Sequence, residues 1–120
     1  MIEVSEEDLN EVLESFKSLV KEDRYTISSG HNRLKNDEFI AEYMLTKKQI
    51  KSILLELTAK DCIDIHHKDK GKIVYEFIKE YNIKLKDNDN MEKVYIKFMI
   101  CLVKCQKHVL VISFMIKNKF

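Results

Sequence analysis

The last quarter of the chain, Lys93–Lys117, reads KVYIKFMICLVKCQKHVLVISFMIK. The segments that precede it are expected to pack against it and cover it. Two runs rich in valine, isoleucine and phenylalanine flank a polar patch at Lys104–Lys107, the pattern of an antiparallel hairpin with a loop of several residues. In the first run, apolar side chains alternate with a face that carries Tyr95 and Lys97. The second run is apolar on both faces through Val109–Ile112, which predicts a strand in the middle of a sheet, covered on both sides or nearly so.

Amphipathic helices are expected before this hairpin. Ser5 is a good N-cap, and apolar side chains follow it at three- and four-residue spacing, which predicts a helix. Arg24–Ser28 is a short strand-like run. Asn36 or Asp37 is expected to cap a short second helix, and Thr46-Lys47-Lys48-Gln49 is a capping box that opens a third.

The middle of the chain is polar and then ambiguous. His66–Lys72, reading HHKDKGK, is predicted to be a loop. Ile73–Leu85 fits strand alternation and a helical pattern about equally, and its β-branched and aromatic residues favour a strand. Asp87–Asn90 consists of aspartate and asparagine, which are typical of turns, so a turn is predicted there. The sequence therefore predicts one α+β domain over residues 1–120, with N-terminal helices packed on a mostly antiparallel sheet that ends in a C-terminal hairpin.

Composition narrows the class of protein. Apolar residues make up 45% of the chain and charged residues 34%, which is typical of a globular domain, and the net charge of +1 does not by itself indicate a nucleic-acid binder. The charges are nevertheless polarised, with eight acidic residues in positions 1–23 and six lysines in positions 91–120. Three cysteines, no apolar run long enough to span a membrane and no signal-peptide pattern predict a cytoplasmic protein with no membrane partner.

The cysteines raise the question of a metal site. Cys62-x3-His66 and Cys101-x3-Cys105 together offer four zinc ligands, but their spacing is loose, and buried or idle thiols explain them better. Motifs for nucleotide hydrolysis, zinc proteolysis and esterase chemistry do not occur in the sequence. We expect no metal and no cofactor.

The order of elements and the C-terminal residues resemble the MqsR (motility quorum-sensing regulator) family of toxins from type II toxin–antitoxin systems. The specific likeness lies in Val94–Phe98 and Val109–Phe114, with weaker matches at Asp23–Ile27 and Leu57–Cys62. The resemblance implies a RelE-like α+β fold, cleavage of mRNA and silencing by a cognate antitoxin protein. It leaves open whether the ribosome is a further partner.

The residues offer chemistry that suits this implication. Metal-independent RNA cleavage needs a base for the ribose 2′-hydroxyl, cations for the phosphorane oxygens and an acid for the leaving 5′-oxygen. Tyr95 and Lys97 share one face of a predicted strand, where Tyr95 could act as the base or orient the phosphate. Lys97, Lys117 and Lys119 are the expected phosphate ligands. In the family, a tyrosine at the position of Tyr95 and lysines near the C-terminus belong to the active surface.

Other family positions are altered. The family's lysine after its central helix falls near Asp64 here, its glutamine falls near Tyr75 or Glu76, and its basic residue after the Ser-Phe pair is Met115. The neighbouring polar loop could supply a proton donor and phosphate ligands instead, from His66, His67, Lys68, Lys70 and Lys72.

Two functions therefore remain open at the level of sequence. The first is a metal-independent mRNA endoribonuclease that acts as the toxin of a toxin–antitoxin pair. The second is a non-catalytic protein-binding module or inhibitor with a degenerate toxin-like fold, which the altered family positions and the near-zero net charge favour.

Overall fold

A computed structural model describes residues 3–69, 71–85 and 88–117, which form three α-helices and five strands. The helices are α1 (Glu6–Lys21), α2 (Leu34–Glu42) and α3 (Lys47–Leu55). The strands are β1 (Tyr25–Ile27), β2 (Cys62–His67), β3 (Ile73–Leu85), β4 (Asn88–Val103) and β5 (Gln106–Ile116). Among these residues, none of the helices has the length and apolar character required to cross a bilayer.

The five strands form one sheet in the order β1-β5-β4-β3-β2. All neighbouring strands are antiparallel except β1, which runs parallel to β5. The predicted α+β class, the mostly antiparallel sheet and the C-terminal hairpin are confirmed. The hairpin strand β5 is an interior strand as predicted, although β4 occupies the centre of the sheet.

Side-chain caps fix where the helices begin. The Ser5 hydroxyl accepts a hydrogen bond from the first turn of α1, and Thr46 forms both hydrogen bonds of the predicted capping box at α3. The prediction of a cap at Asn36 or Asp37 is wrong. Helix α2 begins at Leu34, directly after a 3₁₀ turn, so both of these residues lie inside the helix.

Asn36 lies inside α2, and its side chain forms hydrogen bonds with the backbone at the edge of the short strand β1 and with β5. Its side chain is only 1% exposed, and its amide nitrogen donates to the carbonyl oxygens of Ser28 and Ile112, each at 2.9 Å. Its amide oxygen accepts from the backbone N–H of Phe114 at 2.8 Å. Strand β1 ends at Ile27, so beyond that point β5 has no strand on this side to pair with. The Asn36 amide forms hydrogen bonds with the β5 backbone there instead.

The main core lies between the helices and one face of the sheet. Phe98 of β4 is at its centre, with the rings of Phe16, Tyr75 and Phe77 stacked around it at centroid distances of 4.1, 5.4 and 5.5 Å. Strand alternation places these sheet residues on the helix-covered face, and it sends the residues between them to the other side.

The other face of the sheet, called here the open face, carries none of the described helices. Among the described residues, helices therefore cover β5 on one side only, yet Ile112 on the open face is still only 3% exposed. A smaller apolar cluster of Val74, Met99 and Ile112 lies on this face. Ile112 is the extra residue of a β-bulge, because Lys97 pairs with Ser113 and Phe98 pairs with Val111. This cluster explains why β5 is apolar on both faces.

Two predicted loops are shorter than expected. His66 and His67 belong to β2, so the connection to β3 is confined to residues 68–72. The hairpin turn consists of Lys104 and Cys105 alone, at φ angles of 52° and 65°, the backbone of a two-residue type I′ turn. Ile73–Leu85 is a strand, as its composition favoured. In the predicted turn at 87–90, Asp87 lies outside the described residues, and β4 begins at residue 88.

Candidate functional site

The open face brings five polar side chains of three neighbouring strands together. Asp64 and His66 come from β2, Glu76 from β3, and Tyr95 and Lys97 from β4. Asp64 pairs with Glu76, and Glu76 pairs with Lys97, so three charged residues form one row across the sheet. Because directly opposed side chains lie about 4.5–5.5 Å apart at Cβ, the row is compact. We call these five residues the open-face cluster.

Glu76 is the centre of the cluster. One of its carboxylate oxygens, Oε1, accepts a hydrogen bond from the Tyr95 hydroxyl. The other, Oε2, lies 3.1 Å from His66 Nδ1, which is also 3.4 Å from Asp64 Oδ2. The Glu76 side chain is only 15% exposed. A largely buried carboxylate thus contacts a phenol on one side and an imidazole on the other.

The surroundings of Tyr95 determine its protonation. Burial raises the pKa of its phenol, and the hydrogen bond to Glu76 and the negative charges of Glu76 and Asp64 raise it further. The phenol is therefore neutral at physiological pH and acts as a hydrogen-bond donor. This state suits the orienting role predicted for Tyr95 better than the role of a base.

The cluster contains one cation on β4, and a second cation lies beside it just beyond β5. Lys97 lies between Glu76 and Ser113 in the row across the strands. Lys117 follows the end of β5, and its ammonium group is 5.6 Å from the centroid of the Tyr95 ring, within cation–π range. The backbone N–H of Lys117 donates to the carbonyl of Lys93 at 2.8 Å, which ties this segment to β4. The Lys117 ammonium group is therefore beside Tyr95, and Lys97 lies on the same face of β4 two residues along the strand.

The other predicted residues do not join the cluster. His67 is exposed, and strand alternation turns it away from the face that carries His66. Lys72 directly precedes β3 and lies two residues along the chain from Val74, the cross-strand partner of His66, so it is near the His66 end of the cluster and not within it. Lys70 and Lys119 lie outside the described residues.

The altered family positions fall in different places. Tyr75 faces the helices and stacks on Phe98, whereas its neighbour Glu76 lies on the open face. Met115 pairs with Tyr95, so it borders the cluster without adding charge to it. Asp64 and Glu76 were not predicted as functional residues. The alternation of Asp64 with His66 could have indicated a shared face, had the segment been recognised as a strand.

The cysteines are dispersed over the described structure and form no disulfide there. Burial raises the pKa of the Cys62 thiol, which keeps it protonated. Cys101 donates from its sulfur to the His108 carbonyl at 3.5 Å, and Cys105 is exposed in the hairpin turn.

Comparison of the chain with protein-family models, curated proteins and solved structures finds no match. The likeness to the MqsR family therefore stays a prediction carried by the residues quoted above. Function has to be inferred from the side chains on the open face, because a fold alone does not specify an activity.

Proposed function

We propose that this chain is a metal-independent endoribonuclease of the MqsR type, and that the open-face cluster is its active surface. The observation that carries the proposal is the chain of contacts from Tyr95 through Glu76 to His66, with Lys97 and Lys117 beside it. It supplies a base, an acid and cations within a few side chains of one another, which is what cleavage through the ribose 2′-hydroxyl requires.

Glu76 is assigned the role of general base. Its carboxylate would accept the proton of the 2′-hydroxyl as that oxygen attacks the adjacent phosphorus. Tyr95, held neutral by its raised pKa, would fix the orientation of the carboxylate through its hydrogen bond. Tyr95 is therefore a positioning residue in this scheme, and it also lies close enough to Lys117 for both to meet one phosphate.

His66 is assigned the role of general acid. Its ring nitrogen Nδ1 lies 3.1 Å from the other oxygen of Glu76, which places the acid directly beside the base. The imidazolium would give its proton to the leaving 5′-oxygen and leave a 2′,3′-cyclic phosphate on the upstream fragment. Lys97 and Lys117 would stabilise the charge on the non-bridging oxygens.

The partners follow from the same proposal. The substrate is mRNA, and the resemblance to a toxin family adds a cognate antitoxin that would silence the protein in the cytoplasm. The ribosome is a further partner to be tested. All five members of the open-face cluster are on strands, and strands hold a reactive geometry more tightly than loops do.

The test is cleavage of an end-labelled mRNA by the purified protein in the presence of EDTA. The wild type should release discrete fragments with 2′,3′-cyclic phosphate ends, and Glu76→Gln should reduce the rate about 100-fold or more, the usual contribution of a general base. Glu80→Gln is the matched control, because Glu80 is exposed and lies on the same face of the same strand. Equal rates in the two variants would refute the assignment of Glu76.

A second candidate is a non-catalytic protein-binding module. Two observations favour it: the carboxylates of Asp64 and Glu76 repel phosphate, and the hairpin tip exposes Leu102 at 73% and Val103 at 47%. RNA left intact both with and without added ribosomes would support this candidate. Fragments formed only with ribosomes present would instead support a ribosome-dependent endoribonuclease.

A further inference from the structure

We propose that Asp64, His66 and Glu76 form a binding site for a divalent transition-metal ion, with Zn²⁺ the best fit, and that the bound ion switches off the open-face cluster. The metal site stands on geometry alone. The switch rests on the proposed function, because it requires that His66 and Glu76 act as acid and base.

The three donor atoms are spaced as zinc ligands are. One nitrogen of His66 and one carboxylate oxygen each from Asp64 and Glu76 all lie within 4.8 Å of one another. His66 Nδ1 is 3.4 Å from Asp64 Oδ2 and 3.1 Å from Glu76 Oε2. Zinc bonds of about 2.0–2.2 Å at tetrahedral angles separate neighbouring donors by about 3.4 Å. The separation of His66 Nδ1 from the Asp64 oxygen matches this value, and its separation from the Glu76 oxygen is slightly shorter.

The imidazole nitrogen lacks a hydrogen-bonding partner of its own. His66 Nδ1 is shielded from solvent and makes no hydrogen bond within the described part of the chain, although carboxylate oxygens of Glu76 and Asp64 lie 3.1 and 3.4 Å away. In the neutral ring this atom is a lone-pair acceptor that faces two other acceptors whenever the proton is on Nε2. A cation placed among the three atoms would convert that repulsion into coordination.

The surroundings support a metal ligand set. The Tyr95 hydroxyl occupies Oε1 of Glu76 and leaves Oε2 facing His66. A hydrogen bond to the second oxygen of a ligating carboxylate is a common means of orienting it. Three protein ligands leave one tetrahedral position for water, and a mixed nitrogen and oxygen set favours zinc and its first-row neighbours over calcium or magnesium.

The consequence for the proposed function is inhibition. A bound ion would take both the carboxylate oxygen that accepts the 2′-hydroxyl proton and the imidazole nitrogen beside it. Cleavage of RNA would then be fastest in the metal-free protein and would fall as zinc occupies the site.

The binding test is calorimetric titration of the full chain with Zn²⁺ in metal-free buffer. The wild type should bind one ion, and His66→Ala should weaken the affinity at least tenfold. His67→Ala is the matched control and should stay within twofold, because His67 is the adjacent exposed histidine and faces away from the cluster. Equal affinities for the two variants, or no binding at up to about 1 mM Zn²⁺, would overturn the site.

Cobalt distinguishes these ligands from the cysteines. With Co²⁺ in place of zinc, the protein should show visible d–d absorption without a thiolate-to-cobalt charge-transfer band, and Asp64→Asn should weaken the d–d signal. A thiolate band would instead place the ion on a cysteine and overturn the assignment. Neither measurement depends on RNA.

The switch is tested separately in the cleavage assay. Zinc at saturation should suppress cleavage at least tenfold, and added EDTA should restore it. Undiminished cleavage by zinc-saturated protein would overturn the switch while leaving the metal site and the endoribonuclease intact. If the protein cleaves no RNA under any condition, the switch falls with the proposed function, and the metal site is judged on calorimetry and cobalt spectra.

Discussion

Replacement of Asn36 by alanine should be among the most destabilising single substitutions in this chain. Its amide makes three hydrogen bonds, to the carbonyls of Ser28 and Ile112 and from the N–H of Phe114. Alanine removes all three and leaves two of the backbone partners buried without a replacement. The effect acts on β5, an interior strand, so the loss cannot be confined to the short helix that carries Asn36.

The size of the effect follows from these partners. A buried backbone group that loses its hydrogen bond costs about 1–3 kcal/mol. Two such groups, with a smaller contribution from the part-buried Ser28 oxygen, give a loss of about 4 kcal/mol. Domains of this kind are stable by about 5–15 kcal/mol in total, so the variant should retain its fold only marginally.

Urea unfolding followed by circular dichroism measures this loss. With a slope of about 2 kcal/mol per molar urea, the midpoint should fall by about 2 M. Asn32→Ala is the matched control, since Asn32 is exposed in the preceding 3₁₀ turn, and it should change stability by no more than about 0.5 kcal/mol. A loss below about 1 kcal/mol for Asn36→Ala would refute the reasoning that its amide replaces a missing strand.

Three further outcomes are expected. Tyr81→Phe should cost about 1–2 kcal/mol in urea unfolding, because the phenol donates to the buried Ile53 carbonyl at 2.5 Å; an unchanged midpoint would count against that bond. The double change Lys104→Asn with Cys105→Gly should raise stability by about 1 kcal/mol, because both residues adopt positive φ angles that asparagine and glycine tolerate; a lower midpoint would argue against the type I′ turn. The lysines beside Asp23 lower its carboxyl pKa below the ordinary 3.8, so it contributes stability above pH 3.8 that is lost as the pH falls through the lowered value. The stability difference between wild type and Asp23→Asn should therefore be present at pH 7 and vanish in acid, and a difference that persists in acid would exclude this origin.

The elements with a clear period were predictable from the sequence. The helix after Ser5 and the hairpin strands each repeat one apolar pattern over many residues, and the capping box at Thr46 is a local signal that needs no tertiary contact. The ambiguous stretch Ile73–Leu85 was correctly assigned on its β-branched and aromatic content.

The errors arose where tertiary contacts override local preference. Asparagine is typical of helix caps, but Asn36 lies inside α2 because its amide is needed by β5, which is remote in sequence. His66 and His67 sit in a run of charges that is typical of a loop, yet pairing with β3 continues the strand through them. The type I′ turn was missed because Lys104 and Cys105 are not the residues that such a turn favours.

The candidate site was only half visible in the sequence for the same reason. Tyr95 and Lys97 alternate on a recognisable strand, so their shared face was predictable. Asp64 and Glu76 reach them only through the register of three strands, which a sequence without known contacts does not specify. His66 was predicted as a possible proton donor, but its position beside Glu76 depends on the same strand register.

The location of RNA on the open face can be measured directly by NMR of the protein with ¹³C-labelled methionine methyl groups. Met115 pairs with Tyr95, whereas Met44 is exposed between α2 and α3, and each methyl group can be assigned by substitution with leucine. Titration with a 2′-O-methyl RNA, which lacks the attacking hydroxyl, should shift the Met115 signal and leave that of Met44 unchanged. A shift of Met44 alone, or no shift of either at about 1 mM RNA, would contradict an RNA site on this face.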